Sequence, residues 1–445
     1  MRPPGAGLRR LVAAPGPGPR RIATALTSSG LGQVARGGIA GITGAAASAV
    51  AQFLLVVVVT RGFTAEQAGV FFTATALALM AAGVARLDAG NGLIYFIARA
   101  RTYGYRGISG YIRAALVPSV TLAVGAAAAL HPRLGPLALV LPVMVAADIL
   151  LAATRGFGSM RPTVLLDGVL LPVAQLVLVA AAALAASPRW LPLGWALPYL
   201  PVLALAVACL RARLPRTPYL TGTGRDLWRY TAPRSAAGAI QAVFQRLDVV
   251  IVALLGGPVP AAVYTAATRF KVVGQLANQG LAQAAQPRLV RALANGELTL
   301  ACQLYQATTI WLVLLTWPVW LGYAALAPWL LGVFGPAYGS AVPVALVLAA
   351  TMMVATACGM VDVVLTAAGH TTLSLLNLIA AIIVTVTLDA VLIPAQGALG
   401  AVLGWSGGVL VKNLLPLWQL HQRYGLLPFG RHSLPALRLR TRAAA

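Results

Sequence analysis

Long apolar stretches alternate with short polar connections along most of the chain. An α-helix needs about 20 apolar residues to cross a hydrocarbon core of roughly 30 Å, and twelve stretches bounded by charges, Pro or Gly reach that length. They are residues 38–60, 68–90, 111–130, 134–154, 163–186, 191–210, 236–256, 260–286, 305–328, 340–368, 371–393 and 397–420. We number them spans 1 to 12. The pattern predicts an all-α membrane protein with twelve transmembrane helices.

The amino-acid composition strengthens this prediction. Of the 445 residues, 59% are hydrophobic and only 9% are charged, and the mean hydropathy is +0.84. So few charged side chains cannot cover the surface of a water-soluble protein of this size. We therefore place the chain in a lipid bilayer, with membrane lipid as its surroundings.

The net charge of +24 is distributed unevenly along the chain. Of the 33 Lys and Arg residues, 25 lie in the tails and in the connections after even-numbered spans, against three in the connections after odd-numbered spans. Nucleic-acid binding would need these residues clustered on a folded surface between aromatic side chains, so no nucleic-acid partner is expected. The positive-inside rule instead predicts that both termini are cytoplasmic. Abundant Ala, Gly and Arg with little Lys suggest a GC-rich bacterial genome, so the expected location is a bacterial plasma (inner) membrane.

The spans fall into two sets of six. We predict a disordered basic cytoplasmic tail at 1–35, an N-terminal six-helix bundle at 36–210, a basic cytoplasmic linker at 211–235, a C-terminal six-helix bundle at 236–424 and a basic cytoplasmic tail at 425–445. A shift of 192 residues superimposes residues 57–59 on 249–251 and 72–74 on 264–266. Such a parallel pseudo-repeat suits alternating access, in which one bundle rocks against the other around a central cavity.

Polar residues recur inside spans 7 and 8. Gln241, Gln245 and Asp248 share one helical face of span 7, and Arg246 flanks that face. The corresponding stripe of span 8 comprises Thr268, Gln275, Gln279 and Gln283, with Arg269 and Lys271 beside it. A charge at the centre of a membrane helix costs about 2.5–3.5 kcal/mol on insertion scales, so such residues normally face protein or water.

Two interpretations of these residues are open. In the first, spans 7 and 8 line a hydrated cavity of net positive charge, where Arg246, Arg269 and Lys271 attract an anionic headgroup beside the glutamines. In the second, Arg246 and Asp248 neutralise each other, the other two cations extend toward water, and the glutamines only join helices.

Further charges are candidates for coupling or gating, together with Asp248. Arg86 and Asp88 lie near the cytoplasmic end of span 2, where a structural pair is the competing interpretation. Asp362 is expected to share a face of span 10 with Cys358 and Thr366. It is either a proton- or ion-coupling carboxylate or a partner of Lys412.

Three other aspartates are expected to have structural roles. Asp148 and Asp167 lie near the cytoplasmic ends of spans 4 and 5, where helix capping or interhelical pairing is the simplest interpretation. Asp389 is expected toward the outer end of span 11 as an interfacial anchor.

Motifs of enzymatic chemistry are missing from the sequence. It has no GxxxxGK[ST] loop and no HExxH pair, and its four His residues are dispersed. The three Cys residues are far apart in apolar stretches, which excludes a disulfide framework or a CxxC metal site. The short connections leave no room for a soluble catalytic domain. We expect no enzyme activity, no cofactor and no metal.

Two segments resemble those of a known family. VVVVTRGFTAEQAGVFFTATAL at 56–77 is similar to the segment from helix 1 to helix 2 of polysaccharide-transporter (oligosaccharide or O-antigen) flippases, and LDVVIVALLGGPVPAAVYTAATRF at 247–270 is similar to the segment that opens their second half. The second segment has Ala261-Ala262-Val263 before Tyr264, where a Gly commonly precedes the aromatic residue. The wider superfamily also contains multidrug and toxin exporters and the lipid II flippase, and the resemblance implies a V-shaped alternating-access transporter built of two bundles.

The resemblance implies a substrate and a direction of transport. The substrate would be an undecaprenyl-diphosphate-linked oligosaccharide, flipped to the outer leaflet for cell-surface polysaccharide biosynthesis, with Arg246, Arg269 and Lys271 attracting the diphosphate. Envelope polysaccharide assembly enzymes would be possible partners. The alternatives are a cation-coupled multidrug exporter, which should line its cavity with acidic residues, and a non-transporting flippase-like scaffold.

Overall fold

The computed structural model describes residues 28–103, 107–214, 223–431 and 433. Within these ranges the side chains of residues 28–42, 272–277, 279–280 and 283–284 are not described. Large parts of the predicted tails and part of the predicted linker, namely residues 1–27, 215–222 and 434–445, therefore lie outside the described residues. All regular secondary structure in the described ranges is helical, which confirms the predicted class.

The helices follow one another with short connections. In chain order they are α1 (Ser28–Gly62), α2 (Ala65–Ala85), α3 (Ala89–Thr102), α4 (Ile108–Leu134), α5 (Leu141–Gly156), α6 (Leu171–Leu184), α7 (Trp190–Ala196), α8 (Tyr199–Arg211), α9 (Thr223–Gly256), α10 (Pro258–Thr268), α11 (Lys271–Ala294), α12 (Leu298–Ala325), α13 (Ala327–Gly332), α14 (Val342–Ala357), α15 (Val361–Ala367), α16 (Thr371–Gln396) and α17 (Ala398–Tyr424). Turns of 3₁₀-helix at Gly135–Val140 and Pro336–Ala341 precede α5 and α14, and a π-helical segment, Thr163–Leu170, leads into α6.

Each of the twelve predicted spans coincides with helix. By length and composition, 10 helical stretches of the described chain could cross a membrane. One of them, Ile108–Gly156, has 49 residues and contains both span 3 and span 4, since a 3₁₀ turn joins α4 to α5 without a gap. Span 8 is not among the ten because it divides into α10 and α11, and α11 is polar along much of its length.

Two helices begin earlier than the apolar pattern predicts. α1 begins at Ser28 rather than near 38, and α9 begins at Thr223 rather than near 236. In the first turns of α9, Leu227 is fully buried and Trp228 Nε1 donates to Ala114 O at 3.0 Å. The neighbouring Arg229 is exposed. This stretch is stabilised because one of its faces packs on the first half of the chain. Mean hydropathy does not detect such an amphipathic helix, since it averages the buried and exposed faces.

Spans 2 and 10 are also interrupted. Span 2 was expected to reach residue 90, but α2 ends at Ala85 and a turn with positive φ at Leu87 and Asp88 leads into α3. Span 10 divides at residues 358–360, where Gly359 has φ 72°. Tyr305 donates its hydroxyl to Cys358 O there. The prediction that Cys358 and Asp362 share one helical face was wrong, because the two residues lie on either side of this interruption.

The two halves of the chain, α1–α8 and α9–α17, meet along α2, which packs against α9 and α10. The approach is closest where α2 begins. A Cβ on Gly69 would lie 1.8 Å from Pro258 O and 2.4 Å from Pro258 C, so only glycine fits here. Arg61, in the last turn of α1, lies at the same end of the molecule, which we call the Arg61 end.

Side chains add to the closure of the Arg61 end. Arg61 Nε donates to Val333 O and Arg61 Nη2 to Gly332 O, each at 2.8 Å. The ring of Phe53 meets the rings of Phe270 and Phe334 edge to face, with centroids 5.6 Å apart in both pairs. Contacts between the halves therefore close the molecule at the Arg61 end.

The last two helices form a tight antiparallel pair through glycines of α17. A Cβ on Gly404 would lie 2.0 Å from Asp389 Oδ1, and one on Gly408 would lie 1.9 Å from Thr385 Oγ1 and 2.9 Å from Ala381 O. Small residues at a spacing of four let membrane helices approach closely, and this pair follows that rule.

Replacing Gly408 by Val should destabilise the protein. The new side chain would overlap Thr385 and the backbone of α16, and overpacking of this kind costs about 1–3 kcal/mol. We expect a lower melting temperature in detergent for Gly408→Val. Gly322→Ala is the matched control, because nothing lies within 4 Å of a Cβ there. Equal melting temperatures for the two variants would contradict the observed packing of α16 on α17.

Candidate functional site

Two arginines lie between the halves of the chain. The electrostatic neighbours of Arg246 are Tyr199 from the first half and Asp248 and Arg269 from the second. Arg269 ends α10, and its Cζ lies 6.0 Å from the ring centroid of Phe72 in α2. We call Arg246 and Arg269 the central arginines.

Neither central arginine has an ion-pair partner within 4.0 Å among the described residues. The three ion pairs found there are Arg86 with Asp148, Arg234 with Asp88 and Lys271 with Asp248. The Nε atom of Arg269 is buried and has no hydrogen-bond partner in the described part of the chain. Two half-buried guanidinium groups without a carboxylate at ion-pair distance among the described residues are suited to an anion that arrives from outside the protein.

Lys271 belongs to a separate group in the second half. Its Nζ lies 3.2 Å from Asp248 Oδ2, and the two side chains are only 15% and 14% exposed. Tyr264 donates its hydroxyl to the same oxygen at 2.8 Å, and the backbone N–H of Val249 donates to Oδ1 at 2.9 Å. The ammonium also lies 4.5 Å from the ring centroid of Trp405. Lys271 is therefore held by protein groups, and Asp248 accepts from Lys271, Tyr264 and the backbone of Val249.

These contacts contradict two parts of the second interpretation of spans 7 and 8. Asp248 pairs with Lys271 and not with Arg246, and Lys271 does not extend toward water. Gln241 and Gln245 are exposed on α9, as a cavity lining would be. The side chains of Gln275, Gln279 and Gln283 lie outside the described residues, so the predicted stripe of span 8 stays a prediction.

Asp389 is the residue that the sequence pattern placed least well. It is 1% exposed, deep between α16 and α17, whereas an interfacial anchor would be in contact with water. Its Oδ1 has no hydrogen-bond partner among the described residues. Asp248 and Tyr264 are within its electrostatic range. Only the glycines of α17 opposite could have indicated this depth, because they leave room for a polar side chain at the helix contact.

The predicted gating pair of span 2 divides between two partners. Arg86 Nη1 binds Asp148 Oδ2 at 3.0 Å, within the first half. Asp88 accepts from Arg234 Nε at 2.9 Å, which joins the first half to the start of α9. Ser235 donates to Leu87 O beside this pair. Both residues therefore have structural contacts, and their roles in gating stay predictions.

Asp362 has a hydrogen-bond partner other than Lys412, the partner expected from the sequence. Ser374 donates to Asp362 Oδ1 across the turn between α15 and α16. Lys412 lies elsewhere, with its Nζ 5.9 Å from the ring centroid of Phe244. The coupling role of Asp362 stays a prediction, and its alternative pairing with Lys412 is not observed.

Asp148 and Asp167 belong to a group of polar side chains inside the first half. We call this group the first-half polar cluster; it comprises Arg86, Asp148, Arg155, Asp167, Gln175 and Tyr199. Gln175 accepts from Gln52 at 3.1 Å and donates to Trp195 O at 3.0 Å. Sequence reasoning expected pairing for the two aspartates, which is confirmed for Asp148, but it did not place Gln175 or Tyr199 with them.

The fold is similar to those of solved transporters. Neither a protein-family model nor a curated protein sequence matches the chain. A multidrug resistance MATE family transporter of the MOP superfamily in its inward-facing conformation superimposes with a TM-score of 0.68 at 16% identity, over 85% of this chain and 94% of its own. The outward-facing conformation of such a transporter gives 0.56 at 16% identity, over 88% and 95%.

A third similar structure is a MOP superfamily transporter from Pyrococcus furiosus. It gives a TM-score of 0.53 at 16% identity, over 88% of this chain and 95% of its own. It is described as having a binding pocket of reversed polarity, which suggests a different function for that protein.

Identities of 16% show the fold alone. They do not confirm the resemblance to polysaccharide-transporter flippases; the MATE family structures among them are multidrug resistance transporters. The fold class and the membrane location are confirmed. The chain is a multi-pass integral membrane protein whose fold is similar to that of solved MOP superfamily transporters.

Proposed function

We propose that this transporter moves an anionic amphiphile, an undecaprenyl-diphosphate-linked oligosaccharide, from the cytoplasmic to the outer leaflet of a bacterial inner membrane. The central arginines are the observation that carries the proposal. They lie between the halves of the chain, where a substrate in an alternating-access transporter would bind, and no carboxylate of the described residues neutralises them at ion-pair distance. Guanidinium groups bind phosphate oxygens through paired, charge-assisted hydrogen bonds.

The contacts narrow the set of substrate-binding residues. Arg246 and Arg269 would bind the diphosphate, with Gln241 and Gln245 on the exposed side of α9 as further donors. Lys271 would act indirectly, because its ammonium is already bound by Asp248 and Trp405. It keeps Asp248 from attracting a cationic substrate or from neutralising Arg246.

The closed Arg61 end fits the proposed direction. In the predicted topology this end faces the outside of the cell, so the described conformation is closed outward. Lipid-linked sugars on the cytoplasmic leaflet would then enter from the opposite end. Both the orientation and the choice of membrane are parts of this proposal.

Cation-coupled multidrug export is the second candidate. The inward-facing and the outward-facing MATE family structures that are similar to this chain are both multidrug resistance transporters. Asp167 is exposed within the first half, where a cationic amphiphile could approach it. The reversed pocket polarity described for the Pyrococcus furiosus protein indicates that one fold accommodates pockets of opposite charge. The sign of the charge near the substrate is therefore the property to measure.

Ligand-induced stabilisation of the purified protein tests this sign. A ligand that binds only the folded protein raises its stability by RT ln(1 + [L]/Kd). We expect a polyprenyl diphosphate to raise the melting temperature, the corresponding polyprenol to do so much less, and added salt to weaken the diphosphate effect. Stabilisation by a lipophilic cation such as tetraphenylphosphonium, without any by the diphosphate, would instead assign the chain to multidrug export.

A further inference from the structure

Binding of a diphosphate does not explain why the first-half polar cluster is present. Arg86 and Arg155 balance Asp148 and Asp167, so the cluster carries no net charge to attract an anion or a cation. Arg86 and Asp148 are joined at 3.0 Å. The other two charges lie within electrostatic range of each other without an ion pair within 4.0 Å among the described residues.

The hydrogen-bonding groups of the cluster that have no partner among the described residues include both a donor and an acceptor. Arg155 Nε is a buried donor that has no partner in the described chain. Asp167 is an exposed residue whose carboxylate can only accept when it is ionised. A hydroxyl group both donates and accepts, so it can bridge a carboxylate and a guanidinium group that lie near each other without an ion pair. The hydroxyl of Tyr199 lies beside them, next to Gln175, whose amide is already bound to Gln52 and Trp195.

The backbone around Asp167 is unusual. This residue lies in the π-helical segment Thr163–Leu170, and π-helical turns inside α-helices occur frequently at functional sites. The hydroxyl of Thr163 in the same segment is buried without a partner among the described residues. The segment therefore presents polar groups that the described chain leaves unsatisfied.

The cluster lies next to the central arginines. Tyr199 is within electrostatic range of Asp148 and Asp167 on one side and of Arg246 on the other. A ligand with its anionic part at Arg246 would therefore place the adjoining part of the molecule near Asp167. In a diphosphate-linked sugar that part is the first sugar ring, which is uncharged and rich in hydroxyl groups.

We propose that the first-half polar cluster is a sugar subsite, in which Asp167 and Arg155 bind hydroxyl groups of the sugar next to the diphosphate. This inference rests on the proposed function. It adds that the transporter prefers glycosylated lipid over bare polyprenyl diphosphate, and it locates the preference in the first half of the chain rather than at the central arginines.

Leaflet exchange of two probes in proteoliposomes tests the subsite. The probes are a fluorescent polyprenyl diphosphate and the same lipid carrying a disaccharide. We expect Asp167→Asn to lower exchange of the glycosylated lipid about tenfold more than exchange of the bare lipid, as the loss of one hydrogen bond to a charged group would. Asp226→Asn, the same change at an exposed position in the first turn of α9, should preserve the wild-type ratio.

The outcomes separate the subsite from the proposed function. Equal effects of Asp167→Asn on both lipids would overturn the sugar subsite while leaving the proposed function in place. Loss of lipophilic-cation transport in this variant, with no change in the lipid ratio, would assign the cluster to cations instead. No exchange of either lipid by the wild-type protein would overturn the proposed function and the subsite together. If Asp167→Asn does not accumulate in the membrane, Tyr199→Phe removes only one hydroxyl and should lower the same ratio.

Discussion

Replacing Arg246 by Gln is expected to lower the exchange of a polyprenyl diphosphate between leaflets by about tenfold to a hundredfold. A hydrogen bond to a charged group is worth about 1.5–3 kcal/mol, and each 1.4 kcal/mol corresponds to about one factor of ten. The fold should be unaffected, because Arg246 makes no ion pair among the described residues and the Asp248–Lys271 pair stays intact. Exchange rates at equal protein density in the vesicles give the measurement.

The control for this prediction lies on the same helix. Arg229 is exposed near the start of α9, and Arg229→Gln removes an equal charge away from the central arginines. We expect near wild-type exchange for Arg229→Gln. Equal rates in wild type and Arg246→Gln, at equal membrane insertion, would remove Arg246 from the substrate site.

Replacing Gly69 by Val should open the Arg61 end. Because the new Cβ would lie 1.8 Å from the backbone oxygen of Pro258, no side-chain rotation can relieve the overlap, and α2 and α10 must separate. An overpacking cost of about 1–3 kcal/mol would shift a balanced equilibrium by about fivefold to 150-fold toward conformations open at this end. Spin labels at Glu66 and Val259, both exposed, would report a longer distance.

This experiment requires a background in which Cys209, Cys302 and Cys358 are replaced, because all three are free thiols. Gly322→Ala in the same background should leave the distance distribution unchanged, since no atom lies within 4 Å of its Cβ. An unchanged distribution in Gly69→Val would show that closure at the Arg61 end does not depend on this contact.

The hydropathy pattern predicted the helices because a bilayer imposes a nearly fixed length on each of them. The repeat is also reflected in the structure to within two residues: α1 ends at Gly62 and α9 at Gly256, and a new helix begins after each of them. Interruptions were not predictable in the same way. The break at residues 358–360 has no proline, and it is stabilised by the hydroxyl of Tyr305 from another helix.

Side-chain partners were predictable only in part. Arg246 and Asp248 are two positions apart on one helix and therefore point in different directions, which already argues against their mutual neutralisation. That Asp248 meets Lys271 and Tyr264 depends on the packing of α9 against α10 and α11, which spacing along the chain does not determine. The same holds for Asp389, whose burial depends on the glycines of α17 opposite.

Transport by the wild-type protein is the decisive test of the proposed function. The protein is reconstituted into liposomes with a fluorescent polyprenyl-diphosphate sugar, and leaflet exchange is followed with an external quencher against protein-free vesicles. We expect exchange that requires the diphosphate and fails with the corresponding uncharged lipid. No exchange above the protein-free control, together with efflux of a cationic dye from the same vesicles, would contradict the proposed function and make this chain a multidrug exporter.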